Sequence, residues 1–261
     1  MRSRKSLVRQ AYQEKDVKLT KKAHALSHTH ADEHLSAGKY LGSAVYGALD
    51  GTVTTFAVVS GVVGADLNLH IILILGFANL VADGFSMAAS NYLSIKSQRD
   101  FHKEEYNREK WEVENFPEGE TDEIRQIYKE KGFKGKDLER AVEIITSDKE
   151  RWLKTMMVEE LGIIEENINP VIAGAVTFTA FLICGLIPLL TFVLIYFFPA
   201  LEENAFLISC LVTALSIFVV GSLRSLLIAK TWFKAGLEML LVGGAAATVA
   251  YGIGYLLRGL A

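Results

Sequence analysis

Apolar residues dominate five long stretches of the chain, at 40–67, 71–95, 168–198, 205–228 and 233–257. A helix needs about 20 mainly apolar residues to cross the hydrocarbon core of a bilayer. Each stretch is long enough, and each is too long for a soluble strand. The pattern therefore predicts five membrane-spanning helices. Between the second and third it changes character. Helical composition runs on from span two through 101–115 and breaks at Phe116-Pro117-Glu118-Gly119. A short helix over 121–131 follows, ended by Gly132, and then a longer one over 136–161 leading to Gly162. The predicted fold class is an all-α integral membrane protein: five transmembrane helices, with a three-helix domain between spans two and three. The expected divisions are a polar segment at 1–39, spans one and two at 40–98, the helical domain at 99–166 and spans three to five at 167–261.

Charge placement orients this arrangement. Of the 27 Lys and Arg, nine precede span one and fourteen lie between Lys96 and Lys154. The connections at 64–70 and 199–204 carry none. Positive charge marks the cytoplasmic side, so the N-terminus and the 99–166 domain are expected inside and the C-terminus outside. The basic N-terminus has no apolar run behind it before Tyr40, so no signal peptide is expected. Cys184 and Cys210 fall inside spans, where packing is their ordinary role. His24, His28, His30 and His34 sit in the polar leading segment. Such a tract can bind metal, but a solvated tail is the plainer reading.

The polar residues inside the spans carry the chemistry. Asp50 lies within span one, where a carboxylate near a helix centre costs about 2.5–3.5 kcal/mol on insertion scales. Residues so placed are paired, protonated or lining a polar path. Tyr46, Asp50 and Thr54 share its face at a spacing of four. Ser43, Gly47 and Gly51 form an adjoining small-residue face on which another helix, expected to be that of a second copy, can approach closely. In span two, Asn79, Asp83, Met87 and Asn91 form one stripe. Met usually packs, but a thioether set among oxygen donors suits an ion path.

The 99–166 domain holds twenty Asp and Glu. Such a run is usually a solvated face, so spacing matters more than number. His102, Glu105, Glu109 and Glu112 stack along one helix side, and Glu120 and Glu123 lie three apart on the next. Met156, Met157, Glu159 and Glu160 cluster on the third. Carboxylates with a soft thioether favour a transition ion over Mg²⁺ or Ca²⁺.

The stretches Tyr46-Gly47-Ala48-Leu49-Asp50-Gly51, Ser86-Met87-Ala88 and Met156-Met157-Val158-Glu159-Glu160-Leu161-Gly162 resemble the vacuolar iron transporter family, which includes a yeast calcium/manganese-sensitivity transporter and plant nodulin-like relatives. The resemblance runs from about Tyr40 to the end. It implies a five-span homodimer that exports Fe²⁺, and Mn²⁺ or similar ions, from the cytosol in exchange for protons. It implies no permanent cofactor, the metal being substrate, and no nucleic-acid partner. The membrane would be a plasma (inner) or vacuole-like one. By position, Asp50 and Met87 match residues lining the path at the dimer interface. Glu109, Glu112, Glu120, Glu123, Met156, Met157 and Glu160 match metal ligands, and Glu105 stands one turn before them. One departure is Ser90-Asn91, where many members carry Gly-Glu.

Two other classes compete. A ferritin-like di-iron oxidase needs Glu-x-x-His on two helices, whereas this chain has His102-Lys103-Glu104-Glu105, the reverse order. An enzyme is therefore not expected. A membrane-anchored metal sensor without transport has no need for Asp50 and Asp83 inside spans.

Overall fold

A computed structural model describes residues 11–12, 14–25, 39–164, 168–226 and 231–260. The chain divides into two units at Lys39/Tyr40. The first contains a short helix, α1 (Val17–Ala25). His24 falls on it, while His28, His30 and His34 lie outside the described residues.

The second unit is helical, with no strand among the described residues. Span one is α2 (Leu41–Gly64), and span two opens α3 (Leu69–Asn115), a single helix of 47 residues. The third to fifth spans are α7 (Pro170–Ile195), α8 (Ala205–Leu223) and α9 (Trp232–Leu257). Five helices are long and apolar enough to cross a membrane, as the hydrophobic pattern predicts. Span two continues without a break into the polar domain, also as its composition predicts.

The domain departs from the three-helix expectation. After α3 come α4 (Pro117–Glu130), α5 (Gly135–Thr146) and α6 (Lys149–Thr155), then a π-helical turn at Met156–Glu160. The helix expected over 136–161 is split because Asp148 caps α6, accepting a hydrogen bond from the Arg151 amide at 2.8 Å. Helix α4 starts earlier than expected, with Pro117 in its first turn, where a missing N–H costs nothing. Gly162, at φ +66°, ends the π turn in the left-handed conformation glycine favours. Val113, Ile124, Leu138, Val142, Trp152 and Met156 bury themselves among these helices as one apolar cluster.

The membrane core centres on α7. Pro188, inside that helix, has no N–H to give the Cys184 carbonyl four residues back. The Thr52 hydroxyl of span one reaches that carbonyl at 3.3 Å, while bonding its own Ala48 carbonyl at 2.8 Å. Ser209 of α8 donates to the Pro188 carbonyl at 2.8 Å. The Cys184 carbonyl freed in hydrocarbon is thus met by a neighbouring hydroxyl.

The glycine face of span one is corrected here. Gly47 and Gly51 do not face a second copy. They press against the backbone of Thr177 and Phe181 on α7, so closely that a Cβ would strike either carbonyl. Small residues let two helices of the same chain approach where no hydrophobic force drives association within lipid. Gly51→Leu should therefore destabilise the fold of the single chain. Overpacking costs typically about 1–3 kcal/mol, and the obstacle here is backbone, which cannot rotate away. A melting temperature in detergent lowered by several degrees is expected. An unchanged melt with weakened self-association would restore the face to a dimer contact.

Candidate functional site

Helices α3 and α4 meet at the Phe116-Pro117 corner, and this juxtaposition builds the acidic site. Carboxylate oxygens of Glu109, Glu112 and Glu120 lie within 4.8 Å of one another. Glu109 is 1% exposed and Glu120 5%. Both Glu109 oxygens and one of Glu120 have no hydrogen-bond partner. A buried carboxylate without partners is costly, so the fold holds these groups at a penalty that a cation would relieve.

One cation of the chain already stands beside them. The Arg108 guanidinium bonds Glu105 Oε2 at 2.8 Å and Glu112 Oε2 at 3.4 Å. Its Nη2 is 3.1 Å from Glu109 Oε1, without the alignment of a hydrogen bond. It remains nearly half exposed on a long stem, so it can swing into water. Sequence reasoning missed Arg108. Its spacing of three and four from Glu105 and Glu112 is the signal that marks it.

The electrostatics follow from crowding. Burial raises the Glu109 carboxyl above the usual range. Arg108 pulls it back, and the charges of Glu112, Glu123 and Glu105 raise it further. Glu120 is pushed up to about 7, first by burial and then by Glu123, Glu109, Glu112 and Glu160. Glu160 keeps contact with water, yet it also stands at about 7. Partial burial leads, followed by the charges of Glu109 and Glu123, and a hydrogen bond with Glu123 adds to them. Five glutamates from α3, α4 and the π turn thus sense one another. A π turn widens the helix by one residue and is frequent at functional sites.

Other candidates are placed elsewhere. Glu159 pairs with Lys131 at 2.5 Å. Met156 is fully buried in the domain's apolar cluster. Met157 and His102 line a separate cavity at the foot of the domain.

Within the spans, Asp50 and Asp83 lie close enough for their charges to interact, and both are half-buried. Tyr46 is 61% exposed on the outer face of span one. The Thr54 hydroxyl bonds the Asp50 backbone carbonyl at 2.8 Å. Asn79 and Met87 are half-buried on the same stripe, Met87 against the apolar core. Asn91 joins three spans: its amide donates to Thr177 Oγ1 at 2.8 Å, to Ser43 Oγ at 3.2 Å and to the Ala173 carbonyl at 3.5 Å. The polar stripe predicted for span two therefore ends in an interhelical tie at Asn91, with Asp83 nearer its middle and Asp50 of span one close by.

The model of the VIT family matches residues 41–255 of this chain. The vacuolar iron transporter of Toxoplasma gondii (strain ATCC 50861 / VEG) is 39% identical over 263 residues, covering 96% of this chain and 87% of the relative. That of Plasmodium falciparum (isolate 3D7) is 35% identical over 268 residues, covering 99% and 98%. That of Centaurea cyanus is 29% identical over 229 residues, covering 87% and 92%. The first two alignments extend into the N-terminal 39 residues, ahead of the family model. All three relatives are named as transporters rather than enzymes. With the family model spanning all five membrane helices and the acidic domain, the chain belongs to the VIT family.

Proposed function

We propose that the protein carries divalent transition metal ions, Fe²⁺ and also Mn²⁺, out of the cytosol in exchange for protons, with its acidic domain on the cytoplasmic side. The observation that carries this reading is the buried Glu109, its oxygens without hydrogen bonds in a five-glutamate cluster, which stands on the same continuous helix, α3, that bears Asp83 in the membrane. The clustered carboxylates attract cations and raise their local concentration at the mouth of the spans. Glu109, Glu112, Glu120, Glu123 and Glu160 receive the ion, and Asp50 with Met87 passes it through the membrane. The names of the relatives support iron as one substrate. The basic flanks of spans one and two support the orientation.

The working form is a homodimer. Tyr46, Asp50 and Asp83 lie on a side of the spans left partly open by the rest of the chain. Carboxylates facing lipid are unfavourable, and a second copy over this side would enclose them around a shared path. The interface is thus the Tyr46 side of span one, since the glycine side is occupied by α7.

Uptake into vesicles tests the reading. Reconstituted protein should accumulate Fe²⁺ or Mn²⁺ when the vesicle interior is more acidic than the medium, so that protons leave as metal enters. A pH-sensitive dye inside should report proton exit at the same time. Metal binding without any accumulation would leave a membrane-anchored sensor as the function.

A further inference from the structure

Where α3 leaves the membrane, a cavity of about 460 Å³ opens beside it. This lies within the range of roughly 300–1,000 Å³ for small-molecule sites. Its lining is of two kinds. Ile95, Ile164 and Ile168 supply apolar surface, and Arg99, Lys103 and His102 supply polar groups. Arg99 and Lys103 lie one helical turn apart, so both charges reach the same mouth. Both are exposed, and neither has an ion-pair partner among the described residues, although the adjoining domain is rich in carboxylates. Ile95 is the last residue of the apolar run of span two, which sets the cavity at the membrane surface.

We propose that this cavity seats one anionic phospholipid, its phosphate between Arg99 and Lys103 and the start of its acyl chains on Ile95, Ile164 and Ile168. The site stands independently of the transport reading. A metal ion is the wrong occupant, because two fixed cations face the cavity despite the presence of His102 and Met157. A soluble anion gains nothing from the apolar surface, whereas a lipid uses both kinds of lining. Basic pockets beside membrane helices suit such headgroups. The bound lipid would brace α3 at the junction between its membrane half and its acidic half.

The test uses the full chain, purified in mild detergent and stripped of lipid, then offered phosphatidylglycerol or phosphatidylcholine and read by native mass spectrometry. The expected result is one phosphatidylglycerol retained per chain, with little phosphatidylcholine. R99Q/K103Q should lose about thirtyfold in apparent affinity for phosphatidylglycerol. Ile164→Asp should also lose it, although both cations remain. Both variants are surface changes and should melt like the wild type in lipid-free detergent, which separates loss of lipid from loss of fold. Equal retention by the wild type and R99Q/K103Q would overturn the proposal. Displacement of the lipid by millimolar inorganic phosphate, or full retention by Ile164→Asp, would do the same by reducing the site to one for a soluble anion.

Discussion

Asp50→Asn should stop metal flux and coupled proton movement together while leaving the protein folded and inserted. Asp50 is an acidic side chain within the apolar part of span one, half-buried and near Asp83 on span two. A carboxylate there can hold a proton or share a divalent cation, but one occupant excludes the other. That exclusion is the least machinery antiport requires. Asparagine keeps the size and the hydrogen-bonding capacity but neither ionises nor exchanges a proton. Neighbouring structure gives the change little to disturb, because the Thr54 hydroxyl bonds the Asp50 backbone rather than its carboxylate. Vesicles carrying the variant should show metal uptake at the protein-free leak, with no dye response. Asp50→Glu should retain partial activity. Wild-type flux through Asp50→Asn would move the role to Asp83.

The position of Asp50 is legible in sequence because it lies deep in a long hydrophobic run whose other acid, Asp66, falls at the run's end. The same logic fixes all five spans and the continuation of span two into the polar domain. What the sequence does not tell is which neighbour a helix face meets. Ser43, Gly47 and Gly51 read correctly as a close-approach face, but periodicity cannot distinguish a helix of the same chain from that of another. The backbone of Thr177 and Phe181, far along the chain, takes the place. Pairwise partners are hidden for the same reason: Thr52 serves the Cys184 carbonyl freed by Pro188, 132 positions along the chain. In the acidic domain, Glu109, Glu112 and Glu120 are legible because the corner at Phe116-Pro117 folds two helices together. The arrival of Glu160 beside Glu123 depends on a break at Ser147, for which the capping Asp148 is the local signal, and on a π turn that has none. Met156 and Met157 look alike in sequence but separate in space, one into the apolar cluster and the other toward the cavity at the foot of the domain.

Glu109→Gln should weaken metal binding by the full chain and stabilise the metal-free protein, and the pairing of these opposite effects identifies a ligand. A glutamate kept only for packing or an ion pair would lose stability on replacement. Glu109 is instead fully enclosed with oxygens that accept no hydrogen bond, and its burial together with the repulsion of neighbouring carboxylates outweighs the Arg108 guanidinium 3.1 Å away. Removing its charge relieves the metal-free fold, so its melting temperature at pH 8 should rise. Removing a charged ligand should lower Mn²⁺ affinity by about tenfold to hundredfold, or roughly 1.4–2.8 kcal/mol. The wild-type site should also bind in a pH-dependent way. Glu120 and Glu160 are raised from 4.5 to about 7. Between those values the folded protein holds more protons than the unfolded chain. The contribution of these groups to metal-free stability therefore falls as pH rises from about 4.5 to 7, then stays low. Metal has the opposite dependence: it must displace those protons below pH 7 and meets ionised ligands above it. Affinity should drop by about tenfold to hundredfold from pH 8 to pH 6, depending on whether one proton or two leave. Calorimetry at both pH values, in buffers of different ionisation enthalpy, counts the protons released. Binding that is unchanged between pH 6 and 8, or a Glu109→Gln protein that melts lower and still binds Mn²⁺ at full strength, would remove the cluster as the entry site for metal.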